Sequence, residues 1–153
     1  MFGKFVSTRL IMPIQNEINR GLSLHEVSLC ISLGLVIALC PILGVTTGIC
    51  AIFAYLLKLN QVVIQIVNYA CYPIQIICFL PFIKMGQMIF QPNTNLPNLD
   101  TMLTTLENSP VEFFSQFSAQ ILYGAIAWMG VAILILPLSY LGLHFGLKKF
   151  GLK

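Results

Sequence analysis

Two consecutive stretches of this chain are long enough to cross a membrane, carry no charge, and are each interrupted by proline. The first runs from Val27 to Leu57 and is split by Cys40-Pro41-Ile42-Leu43-Gly44. The second runs from Leu59 to Ile83 and is split by Tyr72-Pro73, with Pro81 near its end. Both exceed the roughly 20 residues that a helix needs to span a bilayer. A simple anchor has no use for such breaks. Proline removes a backbone donor and forces neighbouring carbonyls off their helical partners, which hydrocarbon cannot replace. The cost is met where the break is buried in protein or lines a polar cavity.

The rest of the composition fits that setting. The chain is 58% hydrophobic and 8% charged, against about 25% charged residues in a soluble domain. A third run, Phe113 to Leu147, carries no Lys, Arg, Asp or Glu and holds His144 near its end. The charges gather at the chain ends: Lys4, Arg9 and Arg20 before the first run, Lys148, Lys149 and Lys153 after the last. Gln91 to Glu112 has no Lys or Arg and carries Asp100, Glu107 and Glu112. The excess of Lys and Arg at the ends places both termini in the cytoplasm and that loop outside. A net charge of +3 gives no footprint for nucleic acid. The first 20 residues lack a signal-peptide core. Phe2, Phe5, Val6, Leu10 and Ile14 predict one apolar face of a basic helix on the membrane surface.

Start and stop signals divide the chain further. Ser23-Leu24-His25-Glu26 is a capping box and opens a helix to about Leu39. Pro41 and Gly44 turn the chain, and a second piece covers about Thr46 to Leu59. Each is shorter than a roughly 30 Å hydrocarbon core at 1.5 Å per residue. This favours a re-entrant hairpin, with one long kinked helix as the competing form. The plan repeats over about Gln61 to Tyr72 and Ile74 to Phe90, with Pro73 and Pro81 as turns. Leu99, Met102, Leu103 and Leu106 follow helical spacing and predict a short amphipathic helix. Ser109-Pro110-Val111-Glu112 opens a last helix that Pro137 kinks or ends. The expected fold is all-α and integral to the membrane. It comprises a surface segment over residues 1–20, a broken-helix core over 21–90, an external loop over 91–112, and a full transmembrane helix with a basic tail over 113–153.

The polar residues are few. Gln61, Gln65, Asn68, Tyr72 and Gln75 are spaced by four, three, four and three, which puts them within about 80° of arc on a regular helix. Such a stripe either holds helices together by hydrogen bonds or forms a polar path or headgroup groove. Gly44-Val45-Thr46-Thr47-Gly48 permits close helix packing. It also sets Thr46 and Thr47 at a half-helix start whose free N–H groups favour an anion. Gly142 to Gly146 is a second glycine pair for packing, with His144 an interfacial residue. Lys58 and Lys84 each end a broken segment and either snorkel to headgroups or hold a lipid phosphate. The five cysteines, Cys30, Cys40, Cys50, Cys71 and Cys78, lack metal-ligand spacing and read as small buried hydrophobes.

No acidic residue lies inside an apolar run. No nucleophile–base set, metal cluster or phosphate-binding glycine loop is present. General acid–base chemistry needs a titratable group at the reacting atom, so the residues predict neither an enzyme nor a cofactor.

Ser23 at a helix start, Leu33-Gly34, Cys40-Pro41-Ile42-Leu43-Gly44-Val45-Thr46-Thr47, Leu57-Lys58-Leu59-Asn60, Tyr72-Pro73-Ile74-Gln75, Pro81 and Lys84-Met85-Gly86 follow one another in order. Together they resemble the bacterial inner-membrane family known as domain of unknown function twenty-sixty-two, over about Gly21 to Phe90 and more loosely the final span. Many members carry Asn-Pro where this chain has Tyr72-Pro73, and some carry an acidic residue where it has Gln87. The resemblance implies a small bacterial membrane protein with no established activity, joined in some members to a glycosyltransferase. The expectation is therefore a multi-pass inner-membrane homo-oligomer that binds or translocates a lipid or lipid-linked polar group. The alternative is a non-catalytic subunit that scaffolds a cell-envelope glycosyltransferase.

Overall fold

Ser23 does what its spacing from Glu26 implies. Its hydroxyl accepts from Glu26 N–H, and the Glu26 carboxylate accepts from Ser23 N–H at 2.8 Å. From this cap α1 runs over Leu24–Ala38. The structure is a computed structural model that describes residues 21–42, 44–92 and 98–149. The surface segment expected over residues 1–20 lies outside them. Five further helices follow: α2 over Thr46–Leu56, α3 over Gln61–Ala70, α4 over Tyr72–Phe90, α5 over Leu99–Asn108 and α6 over Pro110–Lys149. Among the described residues there is no strand.

The first break is a hairpin. Gly44 sits at φ 83° in the turn, where a side chain would be strained. Cys30 Sγ lies 3.8 Å from the Asn60 carbonyl oxygen, so after α2 the chain has returned to the level of Cys30. Leu33 and Ile37 of α1 share one core cluster with Cys50 and Ala54 of α2 and Ile64 of α3. Asn60 follows α2 at the head of the next helix. It caps α3, its Oδ1 accepting from Val62 N–H at 2.9 Å and Val63 N–H at 3.1 Å. Helix α3 then rises beside α1 in the same direction, with Ile64 and Val67 against Gly34.

The second break is milder and sits one residue early. Only Cys71, with φ −85° and ψ 0°, separates α3 from α4. Pro73 falls in the first turn of α4, where its missing N–H costs no intrahelical bond. Pro81 is not a turn: it lies inside α4, and Pro137 lies inside α6 without ending it. Flanking packing keeps α4 going. Next to Pro81, Phe79, Leu80 and Ile83 belong to a second core with Met102, Phe113, Phe117 and Ile121.

Helix α6 runs antiparallel to α1. Trp128 donates to the Val36 carbonyl at 3.0 Å, while twelve residues later Tyr140 meets His25 Nδ1 at 2.8 Å. Among the described residues two helices are long and apolar enough to cross a membrane, α4 and α6, where the sequence predicts one full span. At 40 residues α6 is about 60 Å long and overshoots the hydrocarbon.

The tightest packing is at glycines that the glycine-pair motifs did not include. A Cβ on Gly34 would meet the Ile64 carbonyl oxygen at 2.9 Å. One on Gly86 would meet the Tyr123 carbonyl oxygen at 2.2 Å, and Gly124 faces Ile83 from the other side. Gly44, Gly48, Gly142 and Gly146 have nothing within 4 Å. The expected packing role of those two motifs is thus not found within the described part of this chain.

Candidate functional site

Helix α3 places the polar residues by its rotation of about 100° per residue. Ile64 and Val67 face α1, and Gln65 faces α2, its Nε2 donating to the Thr47 carbonyl at 2.9 Å. Asn68 falls between those directions, in the wedge where α1 ends and α2 begins. It is 1% exposed. Neither its Nδ2 nor its Oδ1 has a hydrogen-bond partner, and Gln65 Oε1 has none either. Leaving a buried amide unpaired costs about 1–3 kcal/mol, so Asn68 is a liability that folding alone does not explain.

Gln75 behaves differently. It is 1% exposed, and its Nε2 donates to the Cys40 carbonyl at 2.8 Å. Cys40 immediately precedes the proline of the first break, and α1 has already ended, so that carbonyl has no helical donor. Gln75 supplies one from the second broken segment. Two members of the stripe, Gln65 and Gln75, therefore join the segments to each other.

The stripe is divided by the break at Cys71. Gln61 is exposed at the start of α3. Tyr72 is 41% exposed and turns away from the amides. It lines instead an apolar groove of about 450 Å³ between α4, α5 and the start of α6, with Ile76, Ile77, Leu80, Leu103 and Phe113 among its walls. Thr46 is buried in the first turn of α2, whose N-terminus has no side-chain cap. Thr47 Oγ1 lies 3.5 Å from Tyr69 Oη. The sequence reading had missed Tyr69, although it stands four residues beyond Gln65 and so on the same face. Lys58 is exposed and takes φ 54° just past the end of α2. Lys84 is exposed on α4. Neither lysine belongs to the turn of the wedge. Pro41 is fully buried, whereas Pro73 and Pro81 are exposed.

Groove and wedge adjoin. Gln75 and Ile76 are consecutive on α4, one bonded to the turn and the other in the groove. Ile42 of the turn packs on the core beneath the groove. The amides and hydroxyls of the wedge do not line the groove itself; Gln75 connects the two through α4. Such a set of uncharged groups can orient a polar group but offers no acid or base to transform it.

A second polar cluster lies at the other end of the bundle. Tyr140 bonds His25 and stacks on His144 at 5.6 Å between ring centroids. It brings both histidines of the chain to the seam of α1 and α6. His144 was expected at the interface; its Nδ1 is buried and lacks a partner.

A family model described as an uncharacterized protein conserved in bacteria (DUF2062) matches residues 8–151. No curated protein and no solved structure matches the chain.

Proposed function

We propose that this chain, which belongs to the DUF2062 family of uncharacterized bacterial proteins, holds a lipid or lipid-linked polar group in the bacterial inner membrane. The observation that carries the reading is Asn68, buried and unpaired on both amide atoms. The adjoining groove suits an alkyl chain: its volume lies within the usual 300–1,000 Å³ of small-molecule sites. A chain leaving a bilayer for that groove gains little, because lipid tails are as apolar as the groove walls. Selection must then come from the polar end, where the amides stand. Holding the group there is a first step toward moving it across, with both termini cytoplasmic and a second copy completing the path.

The test is direct. Protein purified in mild detergent should retain a lipid in native mass spectrometry, and Gln65→Leu with Asn68→Leu should lose it. Protein that arrives lipid-free, or a double variant that keeps its lipid, would sink the proposal.

A second reading has its own support. Gln75 and Gln65 both bond backbone carbonyls, which is a holding role. The outer face of α2 presents Ile52, Phe53, Tyr55 and Leu56. A non-catalytic subunit scaffolding a membrane-bound glycosyltransferase would use both. Cross-linking in native membranes that finds no such partner would count against it.

A further inference from the structure

We propose that the wedge between the end of α1 and the start of α2 takes an uncharged, hydroxyl-bearing headgroup, such as a sugar or glycerol, and rejects a phosphate. This rests on the lipid-holding reading above and adds the chemistry of the polar end.

The inventory of unpaired groups makes the choice. Asn68 offers one acceptor, Oδ1, and the two hydrogens of Nδ2, all without partners. Gln65 adds a second free acceptor, Oε1. The first turn of α2 adds backbone N–H groups that have no intrahelical acceptor and no side-chain cap. A ligand must therefore donate at least once and accept at least once. A hydroxyl does both. A deprotonated phosphate only accepts, and would face two amide oxygens with nothing to give them.

Charge points the same way. The helix dipole at α2 favours an anion by itself. No full positive charge supports it, however. On the stretch from α1 through α3 the charged side chains are Glu26, in the first turn of α1, and Lys58, beyond the far end of α2. Lys58 is twelve residues past Thr46, or roughly 18 Å along the helix. Lys84 is nine residues past Gln75, or roughly 13 Å. An unpaired buried charge is far more costly than a buried hydroxyl that finds its partners. At the rim, Gly44 and Gly48 are exposed, and among the described residues nothing lies within 4 Å of a Cβ on either.

The experiment compares dodecyl glucoside, dodecyl phosphate and free glucose on the full chain in phosphatidylcholine nanodiscs, by equilibrium binding. The glucoside should bind about ten-fold more tightly than the phosphate. Asn68→Leu should erase that preference by weakening the glucoside alone, and Gln65→Met should reduce it in part. Circular dichroism of each variant confirms that the helices are intact. Equal or tighter binding of dodecyl phosphate would overturn the inference while leaving the lipid-holding reading in place. So would a glucoside preference that survives in both variants. Failure of both amphiphiles to bind would overturn the lipid-holding reading itself. Displacement of the glucoside by equimolar free glucose would overturn the lipid-borne part and assign the wedge to a soluble polyol.

Discussion

Gly86→Ala separates the packing that holds this fold from the glycine spacing that merely suggests packing. A Cβ at position 86 would stand 2.2 Å from the Tyr123 carbonyl oxygen, 2.3 Å from its carbon and 2.6 Å from Gly124 N. All three are backbone atoms, so no rotamer change relieves the clash. Heavy atoms sit best about 3.5 Å apart, so α4 and α6 must part by roughly 1.3 Å. Separation on that scale forfeits a large part of the dispersion contact along the seam, where Ile83 and Ile121 are buried. Overpacking costs about 1–3 kcal/mol, and an unyielding obstacle puts this case at about 3 kcal/mol. Alanine returns about 1 kcal/mol through helix propensity. The net loss of about 2 kcal/mol lowers Tm by roughly 4–8 °C in a chain of this size. Thermal unfolding in detergent, followed by circular dichroism, measures it. The paired control is Gly142→Ala, where nothing lies within 4 Å, so Tm should hold or rise slightly. If Gly86→Ala matches Gly142→Ala, the α4–α6 crossing is not held by this contact and the reasoning fails.

Three further outcomes follow from the wedge and the first cap. Gln75→Leu strands the Cys40 carbonyl and should destabilise the chain by about 1–3 kcal/mol, read as a lower Tm. Asn68→Leu should do the reverse, raising Tm in lipid-free detergent by removing an unpaired buried amide; a fall in Tm would mean that the amide has a structural duty. At the mouth of α1 the Glu26 carboxyl is held below its ordinary 4.5, first by the Ser23 backbone N–H, then by the Ser23 hydroxyl, with His25 adding to the effect. A depressed folded value means that the cap is fully present above the unfolded value and fails as pH falls through the folded one. Protection of the first-turn amides of α1 against exchange, relative to the intrinsic rate at each pH, should therefore fall in acid, and Glu26→Gln should remove that pH step.

Much of this fold was legible because its signals are local. The Ser23–Glu26 spacing, the Leu99, Met102, Leu103 and Leu106 pattern and Gly44 in the turn each act within a few residues, and each produced the element expected. The prolines were harder. Pro41 follows the end of a helix, Pro73 sits in a first turn, and Pro81 and Pro137 are carried inside helices. What separates these cases is packing. The residues flanking Pro81 are committed to the core with Phe113 and Phe117, and periodicity cannot register a partner thirty residues away. The glycine pairs failed for the same reason. Spacing brings Gly142 and Gly146 to one face, but a face is an interface only when something stands opposite.

The polar stripe shows where sequence reasoning about the site ran out, and what the structure adds. Five residues shared one arc only on a helix that stayed regular, and Cys71 divides them. The two glutamines that remain inside became braces. Gln75 answers the carbonyl that the first proline break leaves free, so the second broken segment completes the first. This resolves part of the puzzle that the breaks pose, because a buried turn is tolerable once its carbonyls have donors. It also sharpens what is left. Gln75 and Asn68 are both amides, both 1% exposed, and seven residues apart, which is close to two helical turns. One is bonded and one is not. Had the stripe served only to bind helices together, Asn68 would be the member most simply replaced by leucine, with a gain in stability. That an amide stands there unpaired is the reason to look for its partner outside the chain.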